Sequence, residues 1–162
     1  MNRINQLFGS NPKDLLSIYF CAGTPTLDGT AHVIRTLAHH GVSMIEIGIP
    51  FSDPMADGVA IQNAATQALR NGMSLRLLFE QLQDIRRDVT IPLVLMGYLN
   101  PIMQFGFENF CRQCQVCGID GVIIPDLPFK DYQEHYRPIA ERYDVKVIML
   151  ITPKPAKPAC AK

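Results

Sequence analysis

The chain has 162 residues, 48% of them hydrophobic and 19% charged, which is enough to form one globular domain with a buried core. Fifteen basic residues balance fifteen acidic ones, so the net charge of zero does not favour a nucleic acid or an acidic membrane as partner. No apolar run approaches the roughly 20 residues of a membrane span, and the first residues contain no secretory segment. These features predict a cytoplasmic protein without a membrane partner.

Apolar periodicity and turn residues predict an alternation of helices and strands. Thr26 and Ser74 are the expected N-caps of two helices, and Gly118 is the expected left-handed residue after another. Pro138 either kinks its helix or starts a second short one. The predicted order is helix within 1–12, strand 16–22, helix 26–41, strand 44–49, helix 60–69, helix 74–85, strand 93–96, helix 107–117, strand 121–124, interrupted helix 131–142 and strand 145–151.

Five cysteines are present, and Cys111, Cys114 and Cys117 follow the pattern C-x2-C-x2-C. This spacing also begins a bacterial iron–sulfur sequence, but Gly121 stands where the fourth ligand would be. Three small side chains on one helix are therefore the favoured interpretation. Without a secretion signal, we expect free thiols.

A carboxylate lies inside an apolar strand in the stretch 44–58. Glu46 alternates with isoleucines, and Asp57 lies in the loop that follows, which cannot continue the strand because prolines lack a donor N–H. Glu46 is either a solvent-facing residue on a half-exposed strand or a carboxyl whose burial favours the protonated form. The second case is how a general acid/base is tuned towards neutral pH.

Three motifs carry a family resemblance. The stretch 46–58, Glu-Ile-Gly-Ile-Pro-Phe-Ser-Asp-Pro-Met-Ala-Asp-Gly, closely resembles the tryptophan synthase alpha subunit. Gly-Tyr-Leu-Asn-Pro at 97–101 and Pro-Asp-Leu-Pro at 125–128 resemble two further motifs of that family, in the same order. The resemblance covers about residues 1–153.

The predicted strands are nearly continuous apolar runs, which is typical of a parallel sheet covered by helices. The resemblance implies an α/β fold of the (β/α)8 TIM-barrel type, which takes about 250 residues. Here about five units are expected in a partial barrel domain, 1–151, followed by a disordered tail rich in proline and lysine, 152–162. We interpret the chain as a truncated or frameshifted alpha subunit, or a fragment of one. A self-contained open sheet of five strands is the alternative.

The resemblance also implies a reaction, the reverse aldol cleavage of indole-3-glycerol phosphate to indole and glyceraldehyde 3-phosphate. Glu46 would protonate the ring carbon and accept the hydroxyl proton, and Asp57 would stabilise the positive charge that develops near the indole N–H. Proton transfer is sufficient, so no cofactor is expected.

Four further residues match family positions around the substrate. Tyr19 and Tyr98 would flank the indole, although a tyrosine at a strand end often only packs with its hydroxyl in water. Asp126 would lie near the barrel mouth. Gln62 would also belong to the substrate site, in a supporting or structural role.

The family binds the substrate phosphate with loops after later strands, so weak or no activity is expected for this chain alone. The expected partner is the beta subunit, which uses pyridoxal phosphate and would meet the loops 50–58 and 100–107. One alternative is an inactive remnant that still binds the beta subunit. Another, an unrelated α/β domain, is disfavoured because no glycine-rich phosphate loop is present. Open sheet edges would favour association or low solubility.

Overall fold

The structure is a computed structural model that describes residues 2–10, 12–55 and 57–151. Within these ranges five strands form one parallel sheet with the order β1-β2-β3-β4-β5. Each strand follows its sequence neighbour in space, as in a series of β/α units. The strands are β1 Ser17–Cys21, β2 Met44–Gly48, β3 Leu93–Met96, β4 Gly121–Ile123 and β5 Lys146–Ile148.

Helices follow and separate the strands. None of those in the described ranges is long and apolar enough to cross a membrane. A 3₁₀ helix forms at Ile85–Arg87, and a π-helical turn, Tyr132–Tyr136, joins the last two α-helical segments. The α-helices are α1 Arg3–Gly9, α2 Thr30–His39, α3 Val59–Arg70, α4 Leu75–Leu82, α5 Leu99–Phe105, α6 Phe107–Cys117, α7 Phe129–Asp131 and α8 Arg137–Arg142.

The sheet has one face buried in the hydrophobic core and one face that carries polar groups. Ile45, Ile47 and Leu95 are fully buried in that core, together with residues of the covering helices. Because side chains alternate along a strand, their neighbours in sequence lie on the second face. The strand register aligns one row across this second face, which we call the polar face: Tyr19, Glu46, Val94, Gly121 and Lys146.

Several predicted boundaries differ from the structure. The second helix begins at Thr30 with Gly29 as its N-cap, so the prediction that Thr26 caps it is wrong. The Thr26 carbonyl instead accepts a bond from the Gly29 N–H, and this turn keeps residues 26–29 out of the helix. Buried Thr30 accepts a bond from the Gly23 N–H at 3.2 Å, which ties the helix start to the end of β1.

The helix α5 was not predicted. It begins directly after the N-cap Tyr98 and contains Pro101 in its first turn, where a missing N–H costs no helical hydrogen bond. Pro138 lies at the second position of α8, so it belongs to the start of a short helix. The last strand is only Lys146–Ile148, shorter than predicted, and the predicted tail 152–162 lies outside the described residues.

Two predictions for the C-x2-C-x2-C cysteines are confirmed, namely that they share one helix and that their thiols are free. Cys111, Cys114 and Cys117 are buried on one side of α6, and their thiols are free, as is that of Cys21. In the described ranges no group of three or more His, Cys, Asp or Glu side chains could hold a metal ion. These cysteines therefore act as small apolar residues of the helix–sheet packing.

Because its thiols are buried, the protein is expected to lose folding stability at high pH. Burial, with a smaller contribution from Glu108, raises the pKa of Cys111 from 9.0 to about 12. Above about pH 9 the unfolded chain releases a thiol proton that the folded chain retains, so the free energy of unfolding should fall as pH rises towards 12. Urea unfolding under reducing conditions should show a shallower fall in Cys111→Ala than in the wild type. Val116→Ala, a change at an exposed position of the same helix, should keep the wild-type slope.

The predicted cap of α4 is confirmed and leads to a second stability prediction. Ser74 Oγ accepts a hydrogen bond of 3.2 Å from the Leu77 N–H. Ser74→Ala should lower the free energy of unfolding by about 1 kcal/mol, the usual effect of losing such a cap. The matched change Thr26→Ala, at the predicted cap that the helix does not use, should have a smaller effect in the same urea titration. Equal losses in the two variants would contradict this assignment.

Candidate active site

The predicted site residues lie on the polar face and in the loops after the strands. Glu46 is in β2, and Asp57 lies in the loop between β2 and α3. Tyr98 follows β3, and Asp126 follows β4. In parallel sheets these loops all emerge at the same edge, where active sites of β/α proteins form.

Glu46 points away from the apolar core and is half-buried on the polar face. Its neighbour in the row on β1 is Tyr19, and on β3 it is Val94. Its Oε1 accepts a hydrogen bond of 2.7 Å from the Ser17 hydroxyl. The carboxylate is therefore partly removed from water and held by a side chain of the neighbouring strand.

Asp57 is half-buried and is fixed through its backbone. The amide Nε2 of Gln62, on α3, donates to the Asp57 carbonyl at 2.8 Å and so connects the loop to the start of the helix. Burial raises the pKa values of Tyr19 and Cys21, and the negative charge of Asp57 makes a smaller contribution to the rise at both. The Asp57 carboxylate thus lies within electrostatic reach of the sheet residues next to Glu46.

Tyr19 is half-buried and pairs with Glu46 across β1 and β2. Burial raises the pKa of its hydroxyl well above 10.0, and Cys21, Asp57, Tyr98 and Glu46 add to the rise in that order. The phenol consequently stays neutral and keeps its donor proton at any physiological pH.

Gly48 makes room for that hydroxyl. A Cβ at residue 48 would collide with the Tyr19 hydroxyl oxygen and with the adjacent ring carbons. The Tyr19 ring therefore leans across to β2 and covers the backbone two residues beyond Glu46. Any side chain at position 48 would displace it.

Tyr98 and Asp126 organise the loops after β3 and β4. The Tyr98 ring is 6% exposed and packs against Phe51, with the ring centroids 5.5 Å apart. Asp126 is exposed, and its Oδ1 accepts a 2.8 Å bond from the Leu99 N–H at the start of α5. This bond satisfies a helix N-terminal donor and ties two neighbouring loops together.

The predicted residues thus divide into two groups. Glu46, Asp57, Tyr19 and Tyr98 are electrostatic neighbours on or above the polar face. Gln62 and Asp126 are exposed and bond to the backbone of the loops. The supporting role of Gln62, and direct contact of either residue with a substrate, stay predictions.

Sequence reasoning missed three contributors: Ser17, Gly48 and Phe51. The period of two along strands would have placed Ser17 on the same face as Tyr19, and Gly48 on the same face as Glu46. The contact of Phe51 with Tyr98 joins residues distant in sequence, and no local pattern predicts it.

A cavity of about 450 Å³ lies between the loop after β2, the segment 69–75 and the helix α5. Apolar side chains and exposed polar groups both contribute to its lining. It brings together the two segments predicted to meet a partner subunit. Among its lining residues are Pro50, Phe51, Asp53, Asn100, Pro101 and Gln104.

The chain matches a known family along most of its length. The family model described as tryptophan synthase alpha chain matches residues 7–159. The tryptophan synthase alpha chain of Bacteroides fragilis is 87% identical over 154 residues, which are 95% of this chain and 59% of that protein. The alpha chain of Bacteroides thetaiotaomicron is 82% identical, over 95% of this chain and 60% of its own length.

Solved structures agree with these matches. The alpha subunit from Legionella pneumophila superposes with a TM-score of 0.85 at 35% identity, over 91% of this chain and 57% of the other. A tryptophan synthase complex from Pyrococcus furiosus gives a TM-score of 0.79 at 37% identity, over 86% and 58%. The chain spans about three fifths of the length of the curated relatives it matches.

These matches confirm the predicted fold class, five parallel β/α units of an incomplete (β/α)8 barrel. They also confirm the family that the three motifs indicated. The three motifs, the parallel sheet and the family match over residues 7–159 all agree, and the chain therefore belongs to the tryptophan synthase alpha chain family.

Proposed function

We propose that this chain carries the acid–base part of a site that cleaves indole-3-glycerol phosphate to indole and glyceraldehyde 3-phosphate. The observation that supports this most directly is the pairing of Glu46 with Tyr19 across β1 and β2, in a half-buried site that the loop carrying Asp57 follows. Two carboxylates and a neutral phenol, partly shielded from water, suit a reaction that needs proton transfer and stabilisation of a transient cation.

In the proposed reaction Glu46 first gives a proton to the ring carbon that bears the side chain. The ring then carries a positive charge at its nitrogen, which the carboxylate of Asp57 stabilises. The side-chain hydroxyl returns a proton to Glu46, the carbon–carbon bond breaks, and its electron pair restores the aromatic ring. The products are indole and an aldehyde, and Glu46 ends in its starting protonation state, so proton transfers alone balance the reaction.

We further propose a beta subunit of tryptophan synthase as the protein partner. The cavity between the β2 loop and α5 supports this, because it joins the two segments expected at such an interface. The similar structure from Pyrococcus furiosus is that of a tryptophan synthase complex. A cytoplasmic location, with indole-3-glycerol phosphate as the small-molecule substrate, completes the proposal.

A second candidate function is binding to the beta subunit without catalysis. It is favoured by the cavity between the β2 loop and α5, whose lining includes neither Glu46 nor Asp57.

Two measurements test these proposals on the full chain. The first is the release of indole and glyceraldehyde 3-phosphate from indole-3-glycerol phosphate, which should appear in equal amounts. The second is co-elution with a purified beta subunit in size-exclusion chromatography. Release of both products supports the lyase site, and co-elution without release supports the binding function. Neither release nor co-elution would overturn both.

A further inference from the structure

The hydroxyl of Ser17 contacts the proposed acid/base directly. Ser17 is the first residue of β1 and lies on the polar face, beside Met44 in the register and diagonal to Glu46. Its Oγ donates to Glu46 Oε1 at 2.7 Å, across 29 residues of sequence. This distance is the usual one for an O–H···O hydrogen bond.

This bond makes the two carboxylate oxygens of Glu46 unequal. Oε1 accepts the Ser17 proton and is directed towards β1. A proton shared with a substrate is then carried by Oε2. We propose that Ser17 is a positioning residue for Glu46, whose hydroxyl fixes the orientation of the carboxylate and leaves Oε2 as the oxygen that gives and takes the proton.

The other neighbours of Glu46 in the sheet do not supply this restraint. Val94, on the other side in the register row, has no polar side-chain atom. The Tyr19 hydroxyl lies over Gly48, further along the strand. A glutamate side chain has several rotatable bonds and loses considerable rotamer freedom when it is fixed. Since proton transfer requires near-attack geometry, a misdirected carboxylate lowers the rate even when the substrate still binds.

The inference rests on the proposed function, so its test begins with a readout that does not need activity. Side-chain ¹³C relaxation of the Glu46 methylene groups reports how firmly the carboxylate is held. Ser17→Ala should increase the motion of Glu46, and Ser17→Thr, which keeps the hydroxyl and suits a strand, should restore the wild-type value. Equal relaxation in the wild type and in Ser17→Ala would overturn the inference.

A matched control comes from a second serine near the start of the same strand pair. Ser43 Oγ accepts a bond of 3.1 Å from the Leu16 N–H, so it also links the segments before β1 and β2. Ser43→Ala therefore removes a hydroxyl that joins these segments without touching Glu46. It should leave the Glu46 relaxation unchanged. A change as large as in Ser17→Ala would show a general loosening of the sheet and would contradict a specific role of Ser17.

Kinetics supply the second readout. In the indole-release assay Ser17→Ala should lower kcat about tenfold with KM nearly unchanged, and Ser17→Thr should recover most of the loss. A rise in KM alone, or a threonine variant as slow as the alanine variant, would contradict positioning. If the wild-type chain releases no indole, the proposed lyase activity fails, and the relaxation data still decide whether Ser17 orients Glu46.

Discussion

Asp120→Ala should lower the free energy of unfolding by about 3–5 kcal/mol, the usual cost of removing one partner of a buried ion pair. The Asp120 side chain is 3% exposed and lies between two guanidinium groups. Its Oδ1 is 3.2 Å from Arg3 Nη1, and its Oδ2 is 2.6 Å from Arg86 Nη2. Oδ2 also accepts a 3.0 Å bond from the Leu93 N–H at the start of β3.

The large effect is expected because removing the Asp120 carboxylate leaves the Arg86 charge without its partner. Burial lowers the pKa of Arg86 to about 10, and Asp120 is the group that opposes this most strongly. Without the carboxylate the Arg86 charge stays inside the protein, bonded to backbone carbonyls such as that of Gly118. The N–H of Leu93 also loses its partner, which adds a desolvation cost.

Urea unfolding at neutral pH measures the difference, and an exposed pair supplies the matched control. Asp88 bonds to Arg35 at 2.7 Å, but both side chains are well exposed. Such surface pairs contribute about 0–1 kcal/mol, so Asp88→Ala should have a small effect. Similar losses of unfolding free energy in Asp88→Ala and Asp120→Ala would mean that burial of the ion pair does not determine how much stability is lost.

The elements that local patterns specify were predictable from the sequence. The isoleucines of β2 mark the core face by their alternation, and the cap Ser74 and left-handed Gly118 mark helix ends through backbone chemistry that acts within a few residues. The sequence of β/α units then follows from the order of those elements. The incomplete barrel type came from the family motifs, since five units alone also fit an open sheet.

The contacts that shape the site could not be predicted in this way. Ser17 and Glu46 meet only because β1 and β2 pair in one particular register, and a shift of one residue would place them on opposite faces. The bond from Leu99 to Asp126 depends likewise on the loops after two different strands. The helix α5 was not expected because proline usually ends a helix. Pro101 lies in the first turn of α5, where proline is tolerated.

Glu46→Gln should reduce indole release about 10²–10⁴-fold, the range that a positioned general acid/base contributes. Glutamine keeps the shape of the side chain and an oxygen that can accept the Ser17 hydroxyl bond, but its amide cannot give and take the proton. The loss should therefore appear in kcat, while KM changes little. Urea unfolding should give nearly the wild-type stability, which separates lost chemistry from lost folding.

An exposed acid away from the loops after the strands provides the control. Asp88 is well exposed and bonds to Arg35, so Asp88→Asn removes one negative charge without touching the proposed site or the proposed interface. It should retain most of the indole release. A Glu46→Gln rate within threefold of the wild type would exclude Glu46 as the proton donor. The carboxylate of Asp57, which after burial also contributes to the raised pKa of Tyr19, would then be the next group to test as the acid.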